Sequence, residues 1–390
     1  MGQKGKAMAT LGIAGVLIAA AIKGKQLTLN VAAYNSSESD KAQADYICDG
    51  LSDEIEIQNA IDAVSISGRG RVVLFPGTYI VSGNIKLRSN VTLMGLNWDS
   101  LLIAESGINN HIILITSDNC TLRQLRLDGN GTNNRQTVIY VRDCTNVLLH
   151  SLLAENAGWD NIAVASGASN IKLNEIWSRN AGIYPDDDGA GLEITGDCHD
   201  VLATNLHISD CARKQGGLYF STHAGAPHGH NIVVKNAEII NCARAIGCDG
   251  LPGISPFEQV LIDGVLIDGT THPTEAYGIN INGKLINNLE IANFIIRNTG
   301  AGGTGARIAG GTPVGIKFRN GEVYNAGGNG YEMACDGIEA IDCLSQEARG
   351  DGFYVPGNYC RLERPKAIRN SVNFNITGVG VELIEPYEEV

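Results

Sequence analysis

The chain has 390 residues, 44% of them hydrophobic, with 48 glycines, 10 prolines and a formal net charge of −13. That acidic excess excludes an extended phosphate-binding surface, so neither nucleic acid nor an anionic membrane is expected as the main partner. The length would suit two or three ordinary domains, but abundant glycine and β-branched residues point to one repeated β-rich architecture.

Residues 1–24 differ from the rest, because Lys4 and Lys6 precede an uncharged run from Ala7 to Ile22 that ends in small residues. Basic, apolar and small-residue regions in that order predict a secretory signal peptide, and the run is short for a membrane span, which needs about 20 residues. The alternative for the same segment is a hydrophobic N-terminal arm packed within an oligomer.

Residues 25–70 read as an N-terminal cap. Ser52, Asp53 and Glu54 open a helix whose Ile57, Ala60, Ile61 and Val64 share one face and which stops at Gly68. Such a helix can cover the open end of a solenoid, whose core and strand edges would otherwise face water.

Residues 71–390 carry the repeat. A first apolar position is followed by others at +2, +5 and +7, as in Val260, Ile262, Val265 and Ile267. The first positions are Val91, Cys120, Val147, Ile171, Val201, Ile232, Val260, Leu289, Ile316, Ile338 and Cys360, spaced by 22 to 31 residues. Residues at i and i+2 lie on one face of a strand, and the break before +5 marks a bend. A third inward pair follows in most repeats, such as Ile162/Val164, Leu192/Ile194 and Leu218/Phe220. Three strands per repeat predict an all-β fold, a right-handed parallel β-helix solenoid of about eleven coils with an N-terminal capping α-helix.

Nine places after the first position stand Asn156, Asn180, Asn241, Asn298 and Asn325, with Asp210 in the same register. They predict a structural ladder of amides at a left-handed bend. One place further, Cys211 and Cys242 fall on adjacent coils, close enough for a disulfide or for a stack of free thiols. The other cysteines show no zinc-like spacing and read as core residues.

The run from residue 44 to 95, ADYICDGLSDEIEIQNAIDAV followed by GRGRVVLFPGTYIVSGNIKLRSNVTLMG, resembles the opening of the pectate-lyase-like β-helix proteins. These include polygalacturonases, pectate lyases, alginate epimerases and phage tailspikes. The resemblance extends over residues 30–390 through the continuing coils. It implies a polysaccharide as partner, either cleaved by lyase or hydrolase chemistry or held by a non-catalytic tail or cell-surface protein. A secreted or extracellular location follows, with a virion tail or cell surface as the alternative and a homotrimer if the chain is a tailspike.

Residues between the inward pairs of the third strand form an outward row that includes Tyr140, Ala163, Glu193, Tyr219, Gly247, Asn280, Glu332 and Tyr354. Neighbouring turns add Trp159, Asp160, Tyr184, Arg213, Lys214 and His223. Five of the eight histidines, His199, His207, His223, His228 and His230, fall in the same three coils, which have the longer spacings. Asp160 before Asn-Ile-Ala-Val and the pair Asp187-Asp188 resemble the catalytic aspartates of polygalacturonases, although Gln215-Gly216-Gly217 replaces their Gly-His-Gly. Asp160, Asp187, Asp188, Lys214 and His223 are therefore the candidate catalytic residues. Trp159, Tyr184, Glu193, Arg213 and Tyr219 are the candidate substrate contacts. For uronate chemistry, Asp186, Asp187 and Asp188 offer the several oxygens that Ca2+ prefers, while the same trio also reads as a solvated acidic loop.

Overall fold

A computed structural model describes residues 26–185, 188–211, 215–222, 229–250, 257–271, 276–311 and 313–389. The terminal segment read as a signal peptide or arm lies outside them. Among the described residues, no helix is long and apolar enough to cross a membrane.

Every strand pairing is parallel and joins one coil to the next. The first positions Val147, Ile171, Val201, Ile232, Val260 and Leu289 stand in register with one another. One sheet holds 21 strands and the other 12. In the larger sheet the strands of the central coils, such as Thr145–Glu155 and Ser169–Arg179, bend midway. Residue +4 sits at the bend with positive φ, as in Ser151, Glu175, Asn205 and Asn236. One left-handed residue shifts the alternation by one place, so +2 and +5 both point inward. The bend divides the sheet into a first wall, carrying the first position and +2, and a second wall, carrying +5 and +7. The 12-stranded sheet is the third wall.

From the coil begun at Cys120 onward, residues at the four inward positions are buried, as are the third-wall pairs Ile162/Val164, Leu192/Ile194 and Leu218/Phe220. Aromatic rings replace aliphatic side chains toward the C-terminus, where Tyr331 stacks on Phe353 at 4.8 Å and Phe353 on Phe374 at 5.4 Å.

The regular solenoid amounts to about nine turns, fewer than the eleven expected. The coil begun at Val91 is split into strands Val91–Gly95 and Ser100–Ala104, and beyond the coil begun at Cys360 the strands Glu382–Ile384 and Tyr387–Glu389 are largely exposed.

Asn180 donates its amide to Asn156 at 2.7 Å and Asn325 to Asn298 at 2.9 Å, forming the expected ladder. Two more ladders exist. At the bend, Asn205 donates to Asn174 and Asn320 to Asn293; just before the first position, Asn146 donates to Asn119 and Asn231 to Asp200. All ten cysteines are free and buried, which resolves the Cys211 and Cys242 alternatives in favour of thiols. A hydrogen bond with Cys211, followed by burial, pushes the Cys242 thiol well above its ordinary pKa.

Helix α1 spans Glu38–Lys41 and α2, the cap, spans Glu54–Ile66. Ile57, Ala60, Ile61 and Val64 of α2 face the core and are fully buried. Asp53 does not cap α2 through its side chain. Instead its carboxylate accepts N–H groups from Gly50 at 2.8 Å and Ile80 at 2.7 Å. Glu54 accepts from Ser82 at 3.0 Å and Gln58 from Lys86 at 2.8 Å. The helix thus supplies acceptors to strand-edge amides of the first coil that have no coil below them.

Candidate functional site

On the third wall, successive registers place Tyr140, Ala163, Glu193, Tyr219, Gly247, Asn280, Arg307, Glu332 and Tyr354 in one outward line. The middle of the line is covered rather than solvent-facing: Ala163 is 1%, Tyr219 7% and Asn280 8% exposed. This corrects the expectation of an open row.

Asp160 lies beside the middle of this line, 2% exposed. Gly189 makes its position possible, because a Cβ there would lie 2.1 Å from the Trp159 carbonyl oxygen. Strand Ala190–Thr195 can therefore approach the preceding coil, and the Ala190 N–H donates to Asp160 Oδ1 at 2.8 Å. The Thr137 hydroxyl donates to Oδ2 at 3.3 Å. The carboxyl group of Glu193, on the next coil, lies beside Asp160. Burial, reinforced by the Glu193 charge, pushes the Asp160 carboxyl well above the usual carboxylate range, against the bond from Ala190. Glu193, half-buried, accepts a hydrogen bond from the Ser221 hydroxyl at 2.6 Å.

Adjacent carboxyl groups repel when both are charged, which favours the protonated form of the more deeply buried one.

Aromatic and cationic groups border the pair. Tyr140 stacks on His111 at 4.6 Å, and burial lowers the pKa of His111. Trp159 is 41% exposed, with Arg135 over its ring at 5.6 Å. Tyr184 is half-buried in the turn before Asp188, which is exposed at the mouth of the site.

Two cationic residues on this wall were not anticipated. Arg244 is 2% exposed, and its side chain lies across Gly247, where a Cβ would sit 2.7 Å from Arg244 Cδ and 3.1 Å from Tyr219 Cδ2. Arg307 takes the vacant place in the outward row, pairing with Glu332 at 3.0 Å and Asn280 at 3.3 Å. Its inward neighbours, Ala306 and Ile308, are the signal that could have revealed it.

Asp186, Asp187, Arg213, Lys214, His223 and His228 lie outside the described residues, so no Ca2+ ligand set can be drawn for the acidic turn. Among the described residues, the group of donors close enough to share an ion is Cys48, Asp53 and Glu56 in the cap. The bonds of Asp53 to Gly50 and Ile80 give that group a structural occupation. The remaining histidines separate: His199 stacks on His230 at 4.8 Å where their strands enter the first wall, while His207 faces outward on the second wall. They do not converge on Asp160.

A parallel solenoid with a helical cap over its first coil defines a right-handed β-helix protein of the pectate-lyase-like superfamily. The chain belongs to the family described as rhamnogalacturonase A/epimerase, pectate lyase-like, which matches residues 47–253. A tail spike protein of Shigella phage Sf6 is 29% identical over 177 residues, 42% of this chain and 27% of that protein. The chain thus spans about a quarter of the curated relative it matches. Among solved structures, the N-terminal fragment of bacteriophage Phi29 gene product 12 is 15% identical with a TM-score of 0.64, covering 88% of this chain and 69% of that one. The surface adhesin PfbA of Streptococcus pneumoniae is 15% identical with a TM-score of 0.56, covering 85% and 90%. At these identities the likenesses show the shared fold alone.

Proposed function

We propose that the protein binds and cleaves an extracellular polysaccharide along the third wall, with Glu193 and Asp160 as the proton-transferring unit. The observation that carries this reading is the enclosed Asp160 carboxyl beside the more accessible Glu193, with burial raising the pKa of Asp160. A carboxyl group with a raised pKa is what protonation of a departing glycosidic oxygen requires. In this reading Asp160 supplies the proton, relayed through Glu193, and Asp188 activates water. Trp159, Tyr140 and Tyr184 offer rings against which sugars pack. Arg213, Lys214 and His223 remain candidates for the same cleft, as do Asp186 and Asp187 for Ca2+ beside a uronate. The likeness to a phage tail spike supports a virion-tail or other extracellular setting, with a homotrimer as the proposed assembly.

The burial of Tyr219 and Asp160 favours a second reading, in which the wall holds a glycan without cutting it. One panel of polysaccharides, with and without Ca2+, decides between them. Hydrolysis gives new reducing ends alone; a lyase also gives the absorbance of an unsaturated uronate; a pure binder gives neither. Loss of reducing ends in Glu193→Gln, with an unchanged fold, supports the assignment, and full activity in that variant overturns it.

A further inference from the structure

We infer that the second wall carries a separate binding site for a neutral sugar unit, built around Trp98, Trp177 and His207. It lies on a different wall from the carboxyl pair and does not depend on the reaction proposed there.

The site begins with a contact that stacking of coils does not require. In a solenoid each coil touches its neighbours. Trp98, however, sits in the turn that splits the coil begun at Val91, and it reaches past the next coil, so that its indole N–H donates to the Ser151 carbonyl at 3.1 Å. There its ring meets Trp177 edge to face, with centroids 4.8 Å apart. Trp177 in turn lies parallel to His207 at 4.9 Å. Leu153, which stands in register with Trp177 and points outward, is only 9% exposed.

These rings border a cleft of about 340 Å³, at the small end of the range for ligand pockets, ~300–1,000 Å³. Two groups at its rim hold the hydrogen-bonding capacity that sugar hydroxyls need. Glu238 is bonded to His207 at 3.2 Å, and Arg179 is fixed by the buried Glu155, which also binds Arg126 at 2.5 Å. Aromatic faces next to such fixed polar groups are the usual chemistry of sugar recognition. The charges choose the class of sugar. Of the groups lining the cleft, the Arg179 guanidinium offsets the Glu238 carboxylate, and Arg179 is itself paired with Glu155 behind it, so the cleft offers no surplus cation to a uronate.

The test is calorimetric titration of the full chain, carrying Glu193→Gln so that the probe is not consumed. The probes are glucan, mannan and galactan tetrasaccharides, with a uronate tetrasaccharide in parallel. Saturable binding of a neutral probe is expected, weakened at least ten-fold by Trp177→Ala and by Trp98→Ala while each variant stays folded by circular dichroism at the temperature of the titration, and with binding largely retained in Trp177→Phe. In the chain with Glu193 intact, Trp177→Ala leaves any cleavage of short oligosaccharides unaltered, so this inference and the proposed reaction fail independently. The inference is overturned by any of three results: no neutral probe binds, binding survives removal of both tryptophans, or the uronate is preferred. Self-association that is abolished by Trp177→Ala also overturns it, because the rings would then be a contact between copies of the chain.

Discussion

Asp160 and Glu193 stand on adjacent coils, and burial, reinforced by the Glu193 charge, holds the Asp160 carboxyl well above the usual carboxylate range. The folded-state pKa of Asp160 is raised, so the stability linked to its protonation is complete below the unfolded value of about 3.9 and is lost as pH rises through the folded value. Asp160→Asn keeps a donor toward Glu193 and an acceptor for Ala190, yet never ionises. Melting temperatures from pH 5 to pH 9 are expected to fall further in the wild type than in this variant. Parallel curves would count against a protonated Asp160.

Gly247 gives Arg244 its place on the third wall. A methyl group there collides with Cδ at 2.7 Å, so Gly247→Ala displaces the guanidinium from beside Tyr219. The expected stability loss is modest, about 1–3 kcal/mol as for other overpacked positions. Polysaccharide binding should weaken in the same variant, measured by titration. Unchanged binding would remove Arg244 from the site.

Asp53 joins the capping helix to the first coil through two backbone amides. Asp53→Ala leaves both donors without that acceptor and is expected to cost about 2–4 kcal/mol. Chemical denaturation of the full chain measures it, and a loss below about 0.5 kcal/mol, the level of an ordinary surface change, would contradict the role.

Asn180 combines positive φ with a bond to Asn156. Alanine at this position loses the ladder bond and strains the left-handed turn, for about 1–2 kcal/mol. Glycine loses the bond but tolerates the turn, so Asn180→Gly should be the milder change. Equal losses in the two variants would mean that backbone strain contributes nothing.

The walls were legible because burial in a strand repeats every two residues, a signal carried by adjacent side chains such as Ile162 and Val164. The ladder through Asn156 and Asn180 was legible for the same reason, since one residue type recurs at one offset. The other two were hidden by varied occupants: Ser151, Glu175 and Asn205 all hold positive φ at the bend. A backbone conformation recurred there without a recurring side chain. Asp160 and Glu193 were both candidates from sequence, but the bond from Ala190 to Asp160 required the close approach allowed by Gly189. Arg244 gave no signal, because it lies in a turn and its burial depends on the missing side chain of Gly247. Trp98 and Trp177 are distant in the chain, and no periodic pattern brings them together.

The reach of Trp98 bears on how the molecule comes apart. A stack of coils coupled only to nearest neighbours can fray from its end one coil at a time. Trp98 ties the coil begun at Val91 to residues 151 and 177, which belong to the coils begun at Val147 and Ile171. Those coils cannot open singly without parting the two indoles. Hydrogen exchange across this stretch should therefore show one shared opening rate, where the coils beyond it show a gradient.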